Sequence, residues 1–210
     1  MKFFFLLIVL LSTNSLQAKV EIGPYHHQSW NNSWNDSIIL ELSEKEDMPI
    51  MNQSLDEEDL KELNCIGYNS LKEKDDELKK DFWIVFFSAL VRAESAFNTT
   101  VRAKAPKGGH GNYGLLQLSK STAREQCGLK TLEEISDPGE HLRCGVKLMA
   151  WQLEGAPSAK GKLLRPDLKG QLFGKRILLW GPLRQNDKRG RRLLVNWFKS
   201  HLDQLPFCKA

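Results

Sequence analysis

The stretch DFWIVFFSALVRAESAF at residues 81–97 decides the fold. Apolar side chains recur along it at helical spacing, and there are enough of them to surround the helix. We therefore predict a long helix, with Asp81 as its N-cap. Because such a helix is apolar on most sides, it is expected to lie at the centre of the domain core.

Glu94 is a carboxylate set in the apolar part of this stretch. Burial penalises the charged form of a carboxyl group and raises its pKa. A glutamate that stays protonated near neutral pH is a candidate general acid. Taken alone, Glu94 is explained better by an ion pair with Arg92 or another basic residue, since ion pairs also perturb carboxylates. The surrounding sequence has to decide between the two interpretations.

Downstream of Glu94 the pattern stays helical, and strand signals are scarce. The segment 98–112 is rich in Gly and indicates a loop. Further helical patterns begin near residue 120, run over 138–153, and recur near 170–179 and 191–205. The predicted fold class is therefore mostly α, with at most a small β-hairpin around Lys104–Asn112.

The N-terminal sequence MKFFFLLIVLLSTNSLQA predicts a secretory signal peptide at residues 1–18. Lys2 is followed by an apolar run that ends at Leu11, which is shorter than the roughly 20 residues needed to span a bilayer. The residue directly after the expected cleavage point at Ala18 is Lys19 and not a cysteine, so a lipid anchor is not favoured. We expect an exported protein with no membrane anchor after cleavage, and hence a periplasmic or secreted location in a bacterium.

The formal net charge of +4 hides two segments of opposite sign. Residues 36–81 carry fifteen acidic residues against six lysines, whereas 160–192 carries eleven basic residues against two acidic ones. Residues 19–59 are polar and acidic, and we interpret them as a loosely ordered N-terminal extension of a domain at 60–210. In an exported protein the basic segment favours a surface for carboxylates, or a solvated face, over a nucleic-acid site.

Four cysteines, Cys65, Cys127, Cys144 and Cys208, are expected to form two disulfides in an exported protein. Three pairings are possible. We favour Cys127–Cys144, because the intervening segment is short and each cysteine lies in a helical pattern, and this leaves Cys65–Cys208. No close C-x-x-C pair and no His/Cys cluster is present in the sequence, so we predict no metal site.

Three sequence blocks follow one another in order: ESAFN at 94–98, GLLQL at 114–118 with STA at 121–123, and a block from DP at 137–138 to Leu148. Together they resemble the lytic transglycosylase (SLT domain) family of the lysozyme-like superfamily. The resemblance covers residues 82–153. It implies a lysozyme-like helical domain that uses no cofactor. The expected partner is the glycan strand of peptidoglycan, and the expected state is a monomer.

The resemblance also implies roles for single residues. Glu94 falls on the catalytic acid/base, Gln117 on a glutamine that lines the sugar cleft, and Tyr113 on the cleft wall. The later block of the family, A-Y-N-A-G, which supplies a tyrosine, is missing. Its nearest counterpart in chain order contains Trp180, for which a sugar-facing position and a core position both remain open.

Between Glu94 and Gln117 there is no second Asp or Glu. A single carboxylate suits the non-hydrolytic route that the family implies, in which the MurNAc–GlcNAc β-1,4 bond is cut and 1,6-anhydro-MurNAc ends form. Two alternatives stay open. One is a lysozyme-type hydrolase on the same fold, although glycosidases that use water typically place two carboxylates at the bond that is cut. The other is a non-catalytic glycan-binding protein.

Overall fold

A computed structural model describes residues 20–25, 28–44, 48–103, 111–158, 164–175 and 179–209. The signal peptide predicted at residues 1–18 lies outside the described residues. The described part is mostly helical, as predicted. Its α-helices are α1 Ser33–Ser43, α2 Pro49–Asn52, α3 Glu57–Leu63, α4 Asp76–Ser95, α5 Lys120–Cys127, α6 Leu132–Ser136, α7 Pro138–Leu153 and α8 Lys188–Lys199.

The central helix, α4, begins earlier than the sequence analysis predicts. It starts at Asp76, so Asp81 is not its N-cap but a buried residue within the helix. The additional turn contains good helix formers, and Lys79 and Lys80 pair with acidic residues three positions earlier, at 3.3 and 2.9 Å. From Phe82 onward the helix is buried on nearly all sides.

Helices α1 and α8 pack on α4 and form one core with α7. α8 packs along α4, while α1 packs on both α4 and α7. The aromatic side chains of α4 contact each other and the neighbouring elements, with Tyr68 and Phe198 at 4.4 and 5.3 Å from the ring of Phe82. The core around α4 therefore includes aromatic side chains from segments both before and after it in the chain.

The N-terminal segment differs from the loosely ordered extension that its composition predicts. Val20, Ile22, Trp30 and Ile38 are buried in the same hydrophobic core as the rest of the domain. The acidic residues of the segment dominate its composition and hide an apolar face on α1. Even Glu41 is only 1% exposed, because it lies against basic residues of α7, Arg143 at 3.2 Å and Lys147 at 3.3 Å.

Short strands form two small antiparallel sheets. β1 Pro24–Tyr25 pairs with β2 Gln28–Ser29, and β3 Arg102–Ala103, β4 Asn112–Tyr113 and β5 Leu118–Ser119 form the other sheet in that order. In the second sheet Arg102 lies opposite Tyr113, which in turn lies opposite Leu118. The hairpin predicted around Lys104–Asn112 falls largely on residues 104–110, outside the described residues. The strands before and after that segment, β3 and β4, pair with each other.

The helix predicted near 170–179 is wrong for its described part, residues 170–175 and 179. Gly170 has a positive φ of 75°, and a Cβ there would approach the carbonyl oxygen of Ser54 to 2.8 Å. The chain then forms bends instead of a helix, and Gly174 makes an isolated β-bridge with Arg184. The helix predicted over 191–205 begins at Lys188 and ends at Lys199.

Both disulfides have the favoured pairing in the structure. Cys127–Cys144 joins α5 to α7, and Cys65–Cys208 joins the segment after α3 to the C-terminal segment. Among the described residues, no helix is long and apolar enough to cross a membrane.

Candidate active site

Glu94 lies in the last turn of α4, directly before a tight change of chain direction. Ala96 and Phe97 both have positive φ angles, 51° and 66°, which are uncommon for residues other than glycine. Phe97 is buried, with its ring 6.2 Å from that of Trp30 and 5.3 Å from that of Trp197. Aromatic packing therefore stabilises the strained turn that follows Glu94.

The Glu94 carboxyl group is partly buried, and its pKa is raised to about 7. Burial is the main cause, and the negative charge of Asp187 raises the pKa further. The backbone N–H of Gly181, which donates to the carboxylate, and the positive charge of Arg184 act in the opposite direction. At neutral pH a large fraction of Glu94 is protonated, which is what a general acid requires.

Asp187 is a residue of this site that the sequence analysis missed. It caps α8, with its Oδ1 accepting from the backbone N–H of Gly190 at 2.9 Å. A Cβ placed on Gly181 would lie 3.0 Å from Asp187 Oδ2 and 4.0 Å from Glu94 Oε1, so both carboxyl groups approach the same glycine. The sequence indicates an N-cap before a helix here, but no local pattern links it to Glu94.

Gln117 lies in the loop between β4 and β5, with a positive φ of 49°. Its Nε2 donates to the carbonyl oxygens of Gly114 at 2.8 Å and Val101 at 3.3 Å, and the side chain is partly exposed. Tyr113 is 7% exposed, and the Arg102 guanidinium lies 4.8 Å from the centre of its ring. The loop thus presents a fixed amide beside a largely buried tyrosine.

The loop that carries Gln117 lies directly on His141 of α7. Gly114 has a φ of 66°, and a Cβ there would come within 2.3 Å of His141 Nδ1, so only glycine fits. His141 is 1% exposed, and burial lowers its pKa to about 4, so the ring is neutral at physiological pH. The buried His141 ring packs against Gly114 and so supports the loop that carries Gln117.

Trp180 lies in the core and not on an exposed cleft wall. Its side chain is 2% exposed, and the indole N–H donates to the carbonyl oxygen of Leu116 at 2.9 Å. Burial of the whole ring leaves no face for a sugar in this structure. The hydrogen bond instead joins two parts of the site, because Leu116 precedes Gln117 and Trp180 precedes Gly181, whose N–H donates to Glu94.

The central part of this arrangement matches a family model. Residues 73–164 match the model described as "Transglycosylase SLT domain". The chain carries a transglycosylase SLT domain. This domain is that of the lytic transglycosylases, so the resemblance seen in the sequence is confirmed. The chain is an enzyme of that class. The substrate that the SLT domain implies is peptidoglycan.

The match with the SLT domain includes Glu94, Tyr113 and Gln117 but ends before Trp180 and Asp187. Those two residues therefore belong to a part of the site that the family model does not cover. Among the residues that the structure describes, no group of three or more His, Cys, Asp or Glu could hold a metal ion.

Solved structures extend the likeness beyond the SLT domain. A glutamate-to-glutamine variant of Bd0314 DslA matches with a TM-score of 0.62 at 22% identity, over 84% of this chain and 91% of the other. A wild-type form of Bd0314 DslA matches with a TM-score of 0.58, also at 22% identity, over 80% and 89%. At this identity the likeness shows the fold, which is lysozyme-like. No curated protein matches the sequence.

Proposed function

We propose that the chain is an exported enzyme that cuts the MurNAc–GlcNAc β-1,4 bond of bacterial peptidoglycan, with Glu94 as its acid/base. The observation that carries this proposal is the position of Glu94 in the SLT domain. It ends an apolar helix, accepts a hydrogen bond from the Gly181 N–H, and has a pKa raised to about 7. Such a group can donate a proton and then accept one at the same pH.

In the proposed reaction, Glu94 first gives its proton to the glycosidic oxygen, and the bond to C1 of MurNAc breaks. The N-acetyl group of MurNAc stabilises the developing positive charge at C1. The Glu94 carboxylate then takes the proton of the 6-hydroxyl group of the same sugar, whose oxygen bonds to C1. The product is a 1,6-anhydro-MurNAc end, and Glu94 has its proton again.

Gln117 and Tyr113 are our proposed sugar contacts. Gln117 is held by two hydrogen bonds from its Nε2, which lowers the entropy cost of positioning a ligand. Trp180 has a different part in the proposal. Through its bond to the Leu116 carbonyl it holds the Gly181 turn against the glutamine loop.

Hydrolysis on the same fold is the second candidate. It is favoured by the absence of the family's A-Y-N-A-G block from the chain, because the tyrosine that this block supplies is missing. The products separate the candidates, because hydrolysis leaves reducing MurNAc ends and the proposed reaction leaves anhydro ends.

We further propose export through a cleaved signal peptide at 1–18, a monomer, and a periplasmic or secreted location. Two disulfides suit an oxidising compartment. We propose that the segment at 19–59 is a structural part of the domain at 60–210, because α1 is packed into its core.

The test uses intact peptidoglycan sacculi and the Glu94→Gln variant, with Glu125→Gln as control for loss of a surface charge. Glu125 is exposed on α5. We expect Glu94→Gln to fold and to lose at least about 100-fold in rate, whereas Glu125→Gln keeps its activity. Mass spectrometry of the fragments identifies the ends. A Glu94→Gln variant with most of its activity would contradict the proposed mechanism.

A further inference from the structure

The Asp187 carboxylate is enclosed between two glycines. A Cβ on Gly190 would lie 2.4 Å from Asp187 Oδ2, and one on Gly181 would lie 3.0 Å from the same oxygen. Contacts under 3.0 Å are not tolerated without movement, so Gly190 has to be glycine while Asp187 keeps its position. Because Gly181 and Gly190 have no side chain, the Asp187 carboxylate can lie close to the backbone here.

Backbone hydrogen bonds fix Asp187 at a junction of three elements. Its N–H donates to the carbonyl oxygen of Arg184 at 3.1 Å, and the Arg184 N–H donates to that of Gly181 at 2.8 Å. Gly181 opens the short 3-10 helix Gly181–Leu183, which packs against both α8 and α4. The cap of α8 and the N–H that reaches Glu94 therefore belong to one connected turn.

Both oxygens of Asp187 lie close to the backbone of this turn. Oδ1 accepts the Gly190 N–H, and Oδ2 lies beside Gly181 and Gly190. A nucleophile or a base that activates water needs a carboxylate oxygen that reaches the reacting atoms. The negative charge nevertheless acts on Glu94, and within the described residues Asp187 and Arg184 are the charged side chains that do so.

We propose that Asp187 is a positioning residue of the acid/base site: its carboxylate caps α8 at the turn that presents the Gly181 N–H to Glu94, and it keeps a negative charge beside the Glu94 carboxyl group. This inference rests on the proposed function of Glu94. The two effects have different purposes. The hydrogen bond fixes the direction of the carboxyl group, and the neighbouring charge favours its protonated form before each cut.

The experiment compares pH profiles of sacculus cleavage for wild type, Asp187→Asn and Asp187→Ser. Both substitutions keep an N-cap oxygen and remove the charge, so α8 retains its cap. Without the charge, Glu94 loses its proton at lower pH. The alkaline limb of the profile is expected to move down by about 1 pH unit, while the rate in mild acid stays within about tenfold of wild type.

Asp137→Asn is the matched control, since Asp137 caps α7 through the same kind of bond, to the Glu140 N–H at 2.8 Å. Its profile should keep the wild-type limb. An unmoved limb in both folded Asp187 variants would overturn the inference. So would loss of activity at every pH to the level of Glu94→Gln, because Asp187 would then take part in the chemistry itself.

Glu94→Gln, measured in the same series, separates the two ideas. If Glu94→Gln stays active, the proposed function fails, whatever the Asp187 variants do. If Glu94→Gln is inactive and the limb of Asp187→Asn does not move, the proposed function stands and the role of Asp187 fails.

Discussion

Replacing Glu94 by glutamine is expected to make the folded protein more stable at neutral and alkaline pH. Glutamine has nearly the shape of glutamic acid and carries no charge. In the wild type, burial and Asp187 raise the pKa of Glu94 from an ordinary 4.5 to about 7. Ionising this group in the folded protein therefore costs free energy that the unfolded chain does not spend.

The magnitude follows from the two pKa values. Below pH 4.5 Glu94 is protonated in both states and contributes no difference. Between pH 4.5 and about 7 the unfolded chain ionises first, so the folded wild type loses about 1.4 kcal/mol per pH unit relative to the variant. Above pH 7 the difference stays level, at up to about 3 kcal/mol in favour of Glu94→Gln.

The assay is urea denaturation of oxidised wild type and Glu94→Gln at pH 4 and at pH 8. Glu125→Gln, on the surface of α5, controls for the general loss of one negative charge. A free-energy difference that is the same at both pH values would refute the reasoning. A wild type more stable than the variant at pH 8 would refute it more strongly, since Glu94 would then be stabilised by an ion pair.

Three further predictions concern the structure around the site. Trp30→Ala should lower the free energy of unfolding by about 3–5 kcal/mol in urea denaturation, and a loss below about 1 kcal/mol would mean that the N-terminal segment is not part of the core. Trp180→Phe keeps a buried ring but leaves the Leu116 carbonyl unpaired, which should lower the free energy of unfolding by about 1–3 kcal/mol. We also expect kcat to fall more than KM rises, and unchanged stability and kcat would show that the hydrogen bond from Trp180 to Leu116 does not hold the two loops together. Titration of the unfolded, unreduced protein should detect no free thiol, and four reactive thiols would contradict both disulfides.

The helix that bears Glu94 could be predicted because its signal is local. Apolar residues at helical spacing and one carboxylate among them are visible in any window that contains them. The apolar pattern places the start of α4 too late, because Asp76 and the lysines after it are polar and do not contribute to that pattern. Charged side chains in a first turn are poor markers of where burial begins.

Asp187 and the N-terminal segment could not be placed from the sequence, for different reasons. The contact between Asp187 and the Glu94 site depends on how α8 packs on α4, and no local pattern reports such packing. In the N-terminal segment, many acidic residues outweighed a few large apolar ones such as Trp30 and Ile38. Composition averages over a segment, whereas burial depends on which face each residue occupies.

Trp180 shows a third kind of limit. A tryptophan is apolar over most of its surface and carries one N–H, so both a cleft wall and a core position suit it. Which position holds depends on whether a buried acceptor is available for that N–H. In the structure the acceptor is the Leu116 carbonyl, which comes from a loop far away in sequence.

The packing of Phe97 has a consequence for when the enzyme becomes competent. Its ring meets Trp30 from a segment long before it in the chain and Trp197 from a segment long after it. Contacts between residues so distant in sequence form late, because a large loop must close before each is made. The turn after Glu94 is thus expected to acquire its shape only in the last stage of folding, once α8 has docked. A chain that has not finished folding would then carry the acid without the geometry to use it.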